Sequence, residues 1–191
     1  IPITVGTSDG NGFVVGDLFF TAGHVAKEDE SIFVKIGDDL YWLYNKDAIL
    51  LLEEEKNDDG TYNDCAIFKL PKKYNSLTLD YTIPAKGDTL LSISCKHVVE
   101  KVESDSARIF SLANKESYSF MSSTASVVDV IGNFISCEMK DPLEEGRSGS
   151  PLFYNNNIIG LLHGDEGVDG KKCVFQSMNS IIPRLNLEDC L

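Results

Sequence analysis

The 191-residue sequence lacks a paired set of cysteines. Their number is odd, and no two have C-x-x-C spacing: Cys65, Cys95, Cys137, Cys173 and Cys190. This pattern disfavours both a disulfide framework and a zinc site. We expect five free thiols in a reducing compartment, and no metal or cofactor.

The sequence is also poor in basic residues and in long apolar runs. Its 17 Lys and Arg residues against 30 Asp and Glu residues give a net charge of -13. Because phosphate binding needs clustered basic residues, we expect no nucleic-acid partner. The run AILLLEEE ends at once in acidic residues, so no membrane segment is expected. The N-terminus IPITVGTSDG has neither a signal-type core nor an initiating Met, which favours a processed fragment.

Short apolar runs separated by turn residues make up most of the chain. They include GFVVGD, LFFTAG, SIFVKIGDD, YWLYN, AILLLEEE, CAIFKLP, TLLSISC, ARIFSLA, ASVVDVIG, NFISCEM and KCVFQSM. Such runs predict many short antiparallel strands, as in a sandwich or a barrel. PLFYNNNIIGLLHG predicts a hairpin through an Asn-rich turn. One short C-terminal helix is expected around NSIIPRLNLE, where Pro183 limits its length.

The strand candidates fall into two groups. We expect an N-terminal lobe at residues 1–79, a linker at 80–88 that contains Pro84 and Gly87, and a C-terminal lobe at 89–191. Two six-stranded barrels would fit this division, but the number of strands alone leaves a single sandwich open.

The stretch GRSGSP contains a serine, Ser148, between two glycines, with Arg147 directly before it. Gly, Ser and Pro also mark ordinary turns, so this stretch taken alone has two interpretations. Serine is a weak nucleophile unless a base removes its proton and a third group orients that base. The rest of the chain must supply those two groups.

Two other segments offer them. His24 lies in FFTAGHVA, where an apolar strand is expected to end, and Asp64 lies in YNDCAIFKL, at the edge of a buried strand. Each has a purely structural alternative, as a lone histidine or a turn aspartate. The acidic stretch EEEKNDDG before Asp64 is expected to be a solvated loop. His97, in SCKHVVE, has no visible partner in the sequence.

Together the three motifs resemble those of chymotrypsin-like serine proteases. TAGHV, NDCAIFKL and GRSGSPLF are similar to the family's T-A-x-H, D-x-A and G-x-S-G-x-P patterns, in that order, at intervals of 40 and 84 residues. The resemblance implies an all-β fold of two six-stranded antiparallel β-barrels with a short C-terminal helix, and an active site between them. It implies that Ser148 attacks a peptide carbonyl, that His24 transfers the proton, and that Asp64 orients His24.

The same resemblance implies an oxyanion hole at the nucleophile. Gly146, Arg147 and Ser148 would form it, with the backbone N–H groups of Gly146 and Ser148 as the donors. Gly146 would allow the turn that points both donors at the developing negative charge. Arg147 occupies a position that is usually Asp in members activated by a new N-terminal amine, so activation through Ile1 is not expected.

The departures from secreted animal members favour a viral branch. Val25 stands where those members have cysteine after the catalytic histidine. The chain is similar to the 3C-like serine proteases of positive-strand RNA viruses, of the arterivirus, torovirus, astrovirus and sobemovirus type. That similarity implies a viral polyprotein as polypeptide substrate and the host cell cytoplasm as location. A secreted bacterial glutamyl-type endopeptidase is the alternative.

Specificity depends on the strand that follows the nucleophile. Related enzymes with Gln or Glu specificity carry a histidine there in G-x-H, whereas this chain has G-x-x-H, ending in His163. Either a bulge brings His163 to the pocket, or Leu162 lines it instead. Leu143 and Gly164 are the other substrate-binding candidates. We expect cleavage after Gln or Glu through His163, with a basic residue as the alternative because of nearby acidic residues.

Two other function classes remain open at this point, a protease-like binding module and an enzymatically dead structural domain. A protease-like binding module without activity would keep the same fold and motifs. A cysteine-protease mechanism is not expected, because Ser148 holds the nucleophile position.

Overall fold

The computed structural model describes residues 4–6, 10–27, 30–74, 78–98, 117–143, 146–165 and 169–184. Seven strands come first: β1 (Thr4–Gly6), β2 (Asn11–Val15), β3 (Leu18–Thr21), β4 (Ser31–Ile36), β5 (Asp39–Tyr44), β6 (Leu50–Lys56) and β7 (Tyr62–Lys69). Six follow: β8 (Thr89–Val98), β9 (Ser117–Ile131), β10 (Phe134–Met139), β11 (Pro151–Tyr154), β12 (Asn157–Asp165) and β13 (Lys172–Ser177).

Helices are few in this part of the chain. They are α1 (Gly23–Lys27), α2 (Met178–Ile181) and two 3-10 turns, Asn45–Asp47 and Ile182–Arg184. The short C-terminal helix is therefore present, although residues 185–188 of its predicted range lie outside the described residues. None of these helices is long and apolar enough to cross a membrane.

The last six strands close into an antiparallel barrel in the order β10-β13-β12-β11-β8-β9. Alternate residues of β10 point inward, because Ile135, Cys137 and Met139 are buried while their neighbours are not. They pack with Leu152 and Phe175 in one apolar core. This barrel was expected, although the predicted strand ARIFSLA lies outside the described residues.

The first seven strands form two sheets around one core. Five pair in the order β1-β2-β3-β7-β6, and β4 and β5 form a separate hairpin. The inner side of the hairpin, with Ile32 and Val34, packs against Phe19 and Phe68 of the larger sheet. The all-β fold class is confirmed, and the architecture is consistent with the predicted double barrel.

A third apolar cluster joins the two groups of strands. Phe20 and Ile67 from the first group contact the cluster that holds Leu161 of β12 and Met178 of α2. The two groups of strands therefore share one apolar cluster. The lobe and linker boundaries remain a prediction.

The predicted hairpin through the Asn-rich turn is confirmed. β11 pairs antiparallel with β12, with Tyr154 opposite Asn157. Asn155 and Asn156 between them both have positive φ, at 47° and 64°. Two consecutive left-handed residues are the geometry of the tight turn that best matches strand twist.

Candidate active site

His24 lies at the start of helix α1, one turn beyond β3. The sequence placed it at a strand end, and the structure corrects this because the chain becomes helical at Gly23. A side chain at Gly23 would place its Cβ 1.8 Å from the Leu52 carbonyl oxygen and 2.7 Å from Asp64 Oδ1. Glycine at position 23 is thus what allows the carboxylate to approach the helix.

Asp64 is the third residue of β7 and is completely buried. Its Oδ1 accepts a hydrogen bond from the His24 backbone N–H at 2.8 Å, and its Oδ2 lies 2.5 Å from His24 Nδ1. Its own backbone N–H donates to Gln176 Oε1 at 2.9 Å, across from the barrel. The carboxylate is therefore oriented by contacts from both groups of strands.

His163 shares the same carboxylate oxygen. Its Nδ1 lies 2.8 Å from Asp64 Oδ2, and its ring packs edge-on against Tyr62 and His24, with centroids 4.7 and 5.3 Å away. Burial alone would raise the pKa of the Asp64 carboxyl, but hydrogen bonds from His163 and His24 outweigh it and lower that pKa to about 2. Asp64 is thus a carboxylate held between two imidazoles.

A bulge in β12 gives His163 this direction. The pairing of β12 with β13 shifts register between Leu162 and Gly164, so His163 lies at the irregularity. Leu162 points the other way and is buried in the barrel core. It contributes no exposed surface to the cleft, and the bulge is the alternative that the structure adopts.

Ser148 lies in a turn whose backbone is held on several sides. Its Oγ donates to the His163 carbonyl oxygen at 3.0 Å. Its own carbonyl oxygen accepts from the Asn11 N–H at 2.7 Å, and the Gly149 N–H donates to the Leu162 carbonyl oxygen at 2.7 Å. Gly146 has a φ of 80°, in the left-handed region that glycine adopts without strain.

Asn11 ties this turn to the first group of strands. Its side chain is fully buried, and its Nδ2 donates to the carbonyl oxygens of Gly146 at 2.7 Å and Cys95 at 3.0 Å. Its Oδ1 accepts from the Cys95 N–H at 2.5 Å. No local sequence pattern marks Asn11, because its partners are 84 and 135 residues away along the chain.

A cleft of about 400 Å³ opens above these groups. Its lining residues are His24, Glu54, Tyr62, Ser148, His163, Gly164 and Val174. Four of them were predicted from sequence, whereas Glu54, Tyr62 and Val174 were not. Glu54 belongs to the acidic stretch that was expected to be a loop; the structure corrects this for the part that continues β6.

Arg147 and Leu143, two further residues predicted from sequence, do not line this cleft. Arg147 is buried, and with Leu143 and Asp141 it lines a separate cavity of about 70 Å³. The Arg147 guanidinium Nη2 donates to Met121 Sδ, the thioether sulfur, at 3.1 Å. Ile1 lies outside the described residues, so activation through an N-terminal amine is not addressed.

The arrangement supports two kinds of chemistry. A hydroxyl, an imidazole and a buried carboxylate at one cleft can remove a proton from the hydroxyl and stabilise the resulting charge. His24, Asp64 and His163 also each offer one ligand atom, all within 4.8 Å of one another, as a metal ion requires.

Comparison of the sequence with protein families finds one match, to the family described as Trypsin, over residues 1–184. Comparison with curated proteins finds no match. The family match covers all of the described residues, including those that line the cleft.

Three of the solved structures similar to this chain have the following likeness to it. The active form of the Rv3671c protease from M. tuberculosis has a TM-score of 0.65 at 16% identity, covering 96% of this chain and 79% of that one. Kallikrein-related peptidase 10 has a TM-score of 0.65 at 16% identity, covering 95% and 92%. Mouse neuropsin, a serine protease, has a TM-score of 0.63 at 14% identity, covering 95% and 92%. At this identity the likeness shows the fold.

Proposed function

Because the chain belongs to the trypsin family of chymotrypsin-like serine proteases, we propose that it is an endopeptidase whose nucleophile is Ser148. The observation that carries this proposal is the 2.5 Å contact between His24 Nδ1 and buried Asp64 Oδ2 at the cleft that Ser148 lines. A carboxylate on Nδ1 fixes the tautomer that leaves Nε2 as the proton acceptor.

Proton transfer begins with a rotation of the Ser148 hydroxyl. A hydroxyl carries one proton, and in this structure it points at the His163 carbonyl oxygen. For attack, this proton turns to His24 Nε2 as Oγ bonds to the substrate carbonyl carbon. His24 then donates it to the leaving amine, and water hydrolyses the acyl-enzyme with His24 again acting as base. Asp64 stabilises the imidazolium at both stages.

The backbone N–H groups of Gly146 and Ser148 are the proposed oxyanion donors. Support comes from the way the turn is held, because Asn11 binds the carbonyl oxygens of both residues. Donors that are already aimed need no reorganisation when charge develops, which is the main source of their effect. Arg147 contributes its backbone to this turn.

We further propose that the cleft prefers Gln or Glu at the residue before the cleaved bond, through His163. The contact with Asp64 uses Nδ1, so Nε2 is the atom that would reach a substrate side chain. Gly164 lines the cleft beside it and leaves room for that side chain. A role in viral polyprotein processing in the host cytoplasm, and the bacterial glutamyl-type alternative, are supported by the motifs alone.

A peptide-library cleavage profile tests activity and preference together. We expect wild-type protein to cleave after Gln or Glu, and Ser148→Ala to leave every peptide intact. Because His163 also contacts Asp64, the relevant readout for His163→Asn is the ratio of rates between Gln and Leu peptides, not the absolute rate. An unchanged ratio would remove the specificity proposal. Peptide binding by wild type without cleavage would favour the inactive binding module.

A further inference from the structure

Two imidazoles converge on one carboxylate oxygen at the cleft, and a proton relay requires only one of them. We propose that His24, Asp64 and His163 form a binding site for Zn²⁺ that inhibits the peptidase reversibly. The ion is a regulator here and not a resident cofactor. Its binding does not depend on the proposed function, whereas the inhibition does.

The donor set matches zinc. Two histidine nitrogens and one carboxylate oxygen are ligands of catalytic zinc sites, which bind through three protein groups and keep one position open. His24 Nδ1 and His163 Nδ1 both face Asp64 Oδ2, at 2.5 and 2.8 Å. Zinc would take the place of the two Nδ1 protons, and each ring would carry its proton on Nε2 instead, so both imidazoles bind as neutral ligands. In tetrahedral coordination the N···O separations would widen to about 3.3 Å.

The surroundings hold the three ligands in place before any ion arrives. Asp64 Oδ1 is bound by the His24 backbone N–H at 2.8 Å, so Oδ2 is the oxygen available as a ligand. The Tyr62 ring packs edge-on against His163. Such supporting contacts fix ligand orientation and raise metal affinity.

The open coordination position faces the cleft. His24 and His163 line the space of about 400 Å³ that Ser148 also lines, so water fits as the fourth ligand. The ligands are part-buried, since the side chains of His24 and His163 are 35% and 16% exposed and that of Asp64 is 1% exposed. An ion can therefore enter from solvent without unfolding the site.

Bound zinc would stop catalysis at its first step. The ion would occupy the contact between His24 and Asp64, and its positive charge would oppose formation of the His24 imidazolium. Ser148 would then have no base. Because coordination leaves the covalent structure unchanged, a chelator should restore activity.

Direct metal binding is tested in the Ser148→Ala protein, which keeps all three ligands and cannot digest itself. We expect one Co²⁺ per chain to bind with the visible absorption of a low-coordinate cobalt site, and one Zn²⁺ to displace it. His163→Asn in this background keeps a donor for Asp64 but loses a metal ligand. Removing a residue that only hydrogen-bonds to a metal ligand lowers metal affinity by about 10–100-fold. Removing His163, a direct ligand, should lower the affinity for Co²⁺ and Zn²⁺ by at least as much.

His97→Asn is the matched control. His97 is the remaining histidine of the chain and lies on β8 opposite Tyr118. This variant should bind Co²⁺ and Zn²⁺ as the parent does. If His163→Asn proves unfolded by circular dichroism, His163→Gln serves in its place.

Equal zinc affinity with and without His163, or no 1:1 cobalt spectrum in folded Ser148→Ala protein, would overturn the proposal. With Ser148 present, micromolar Zn²⁺ should inhibit peptide cleavage and EDTA should reverse it. If the protein binds cobalt but the wild type cleaves no peptide, the metal site is supported and the peptidase mechanism is rejected.

Discussion

At the scale of single residues, Asp64 is the group on which the site depends. It is fully buried, it contacts two imidazoles, and its own backbone is held by Gln176 from the barrel. A buried charge is tolerated when it is paired and hydrogen-bonded, as this one is. The motif NDCAIFKL alone also fits a turn aspartate, so the sequence identified Asp64 only through the joint occurrence of three motifs.

The lowered pKa of Asp64 predicts how stability depends on pH. The pKa falls from 3.8 to about 2 in the folded protein, so the folded state binds fewer protons than the unfolded chain. The resulting stability is present above about pH 4 and is lost as pH falls towards 2. Between pH 5 and 2, the unfolding free energy of Ser148→Ala protein should drop roughly 1–2 kcal/mol more than that of Ser148→Ala/Asp64→Asn. Urea denaturation at each pH measures these free energies, and an equal fall in both proteins would contradict the prediction.

Asn11 predicts a separate effect on the rate of the chemical step. Asn11→Ala removes the amide that holds the Gly146 carbonyl oxygen, so the proposed oxyanion donors lose their fixed direction. We expect kcat to fall by about 10–1000-fold with little change in KM, because one oxyanion donor is worth that order of magnitude. Active-site-titrated kinetics on protein that remains folded measure this. A rise in KM at constant kcat would assign Asn11 to substrate binding instead.

Residues in local motifs could be identified from the sequence, whereas contacts between distant partners could not. Ser148 and Asp64 sit in local motifs, so the residue types next to them were informative. His163 and Asn11 act through partners that only the fold brings close. No local pattern marks a side chain that bonds to a carbonyl oxygen 135 residues away, as Asn11 does.

At the scale of secondary structure, turn chemistry was the reliable signal. The Asn-rich turn between β11 and β12 was predicted, since asparagine tolerates left-handed backbone better than most residues. The direction of His163 on β12 was left open, because a bulge reverses the alternation of side chains and does not show in sequence. The sequence placed His24 at a strand end and did not predict the helix that holds it, because α1 is only five residues long.

The turn offers a test of this interpretation. Asn156 has a φ of 64°, where a β-branched side chain is strained. We expect Asn156→Val to lower the unfolding free energy by about 1–2 kcal/mol, because asparagine tolerates the left-handed conformation and a β-branched residue does not. Asn156→Gly, the matched control, should be neutral or stabilising. Urea denaturation measures the unfolding free energy of both variants. Equal values for Asn156→Val and Asn156→Gly would contradict the left-handed conformation at this turn.

At the scale of the whole molecule, the two groups of strands are joined by one apolar cluster and by polar bonds around the cleft. The short apolar runs separated by turn residues predicted an all-β chain, and the resemblance of the three motifs implied a site between two groups of strands. The first seven strands divide into a five-stranded sheet and a separate hairpin. This division was not predictable, because the apolar pattern of a strand does not show which other strand it pairs with.

Burial of the thiols is a property of this whole architecture. Cys65, Cys95, Cys137 and Cys173 are free and buried. Burial raises the pKa of the Cys137 thiol to about 12, so little thiolate forms at neutral pH. In native protein these four cysteines should resist iodoacetamide, and all should react after unfolding. Peptide mapping by mass spectrometry measures this, and rapid labelling of Cys137 in folded protein would contradict the packed barrel.

The central claim is that His24 and Asp64 activate Ser148 at the cleft. The most direct measurement is the rate at which a fluorophosphonate probe modifies Ser148, followed by intact-mass spectrometry. The account predicts one adduct per chain in wild type, none in Ser148→Ala, and labelling slowed by orders of magnitude in His24→Ala. A folded wild-type protein that stays unmodified, or one that labels equally fast without His24, would contradict it.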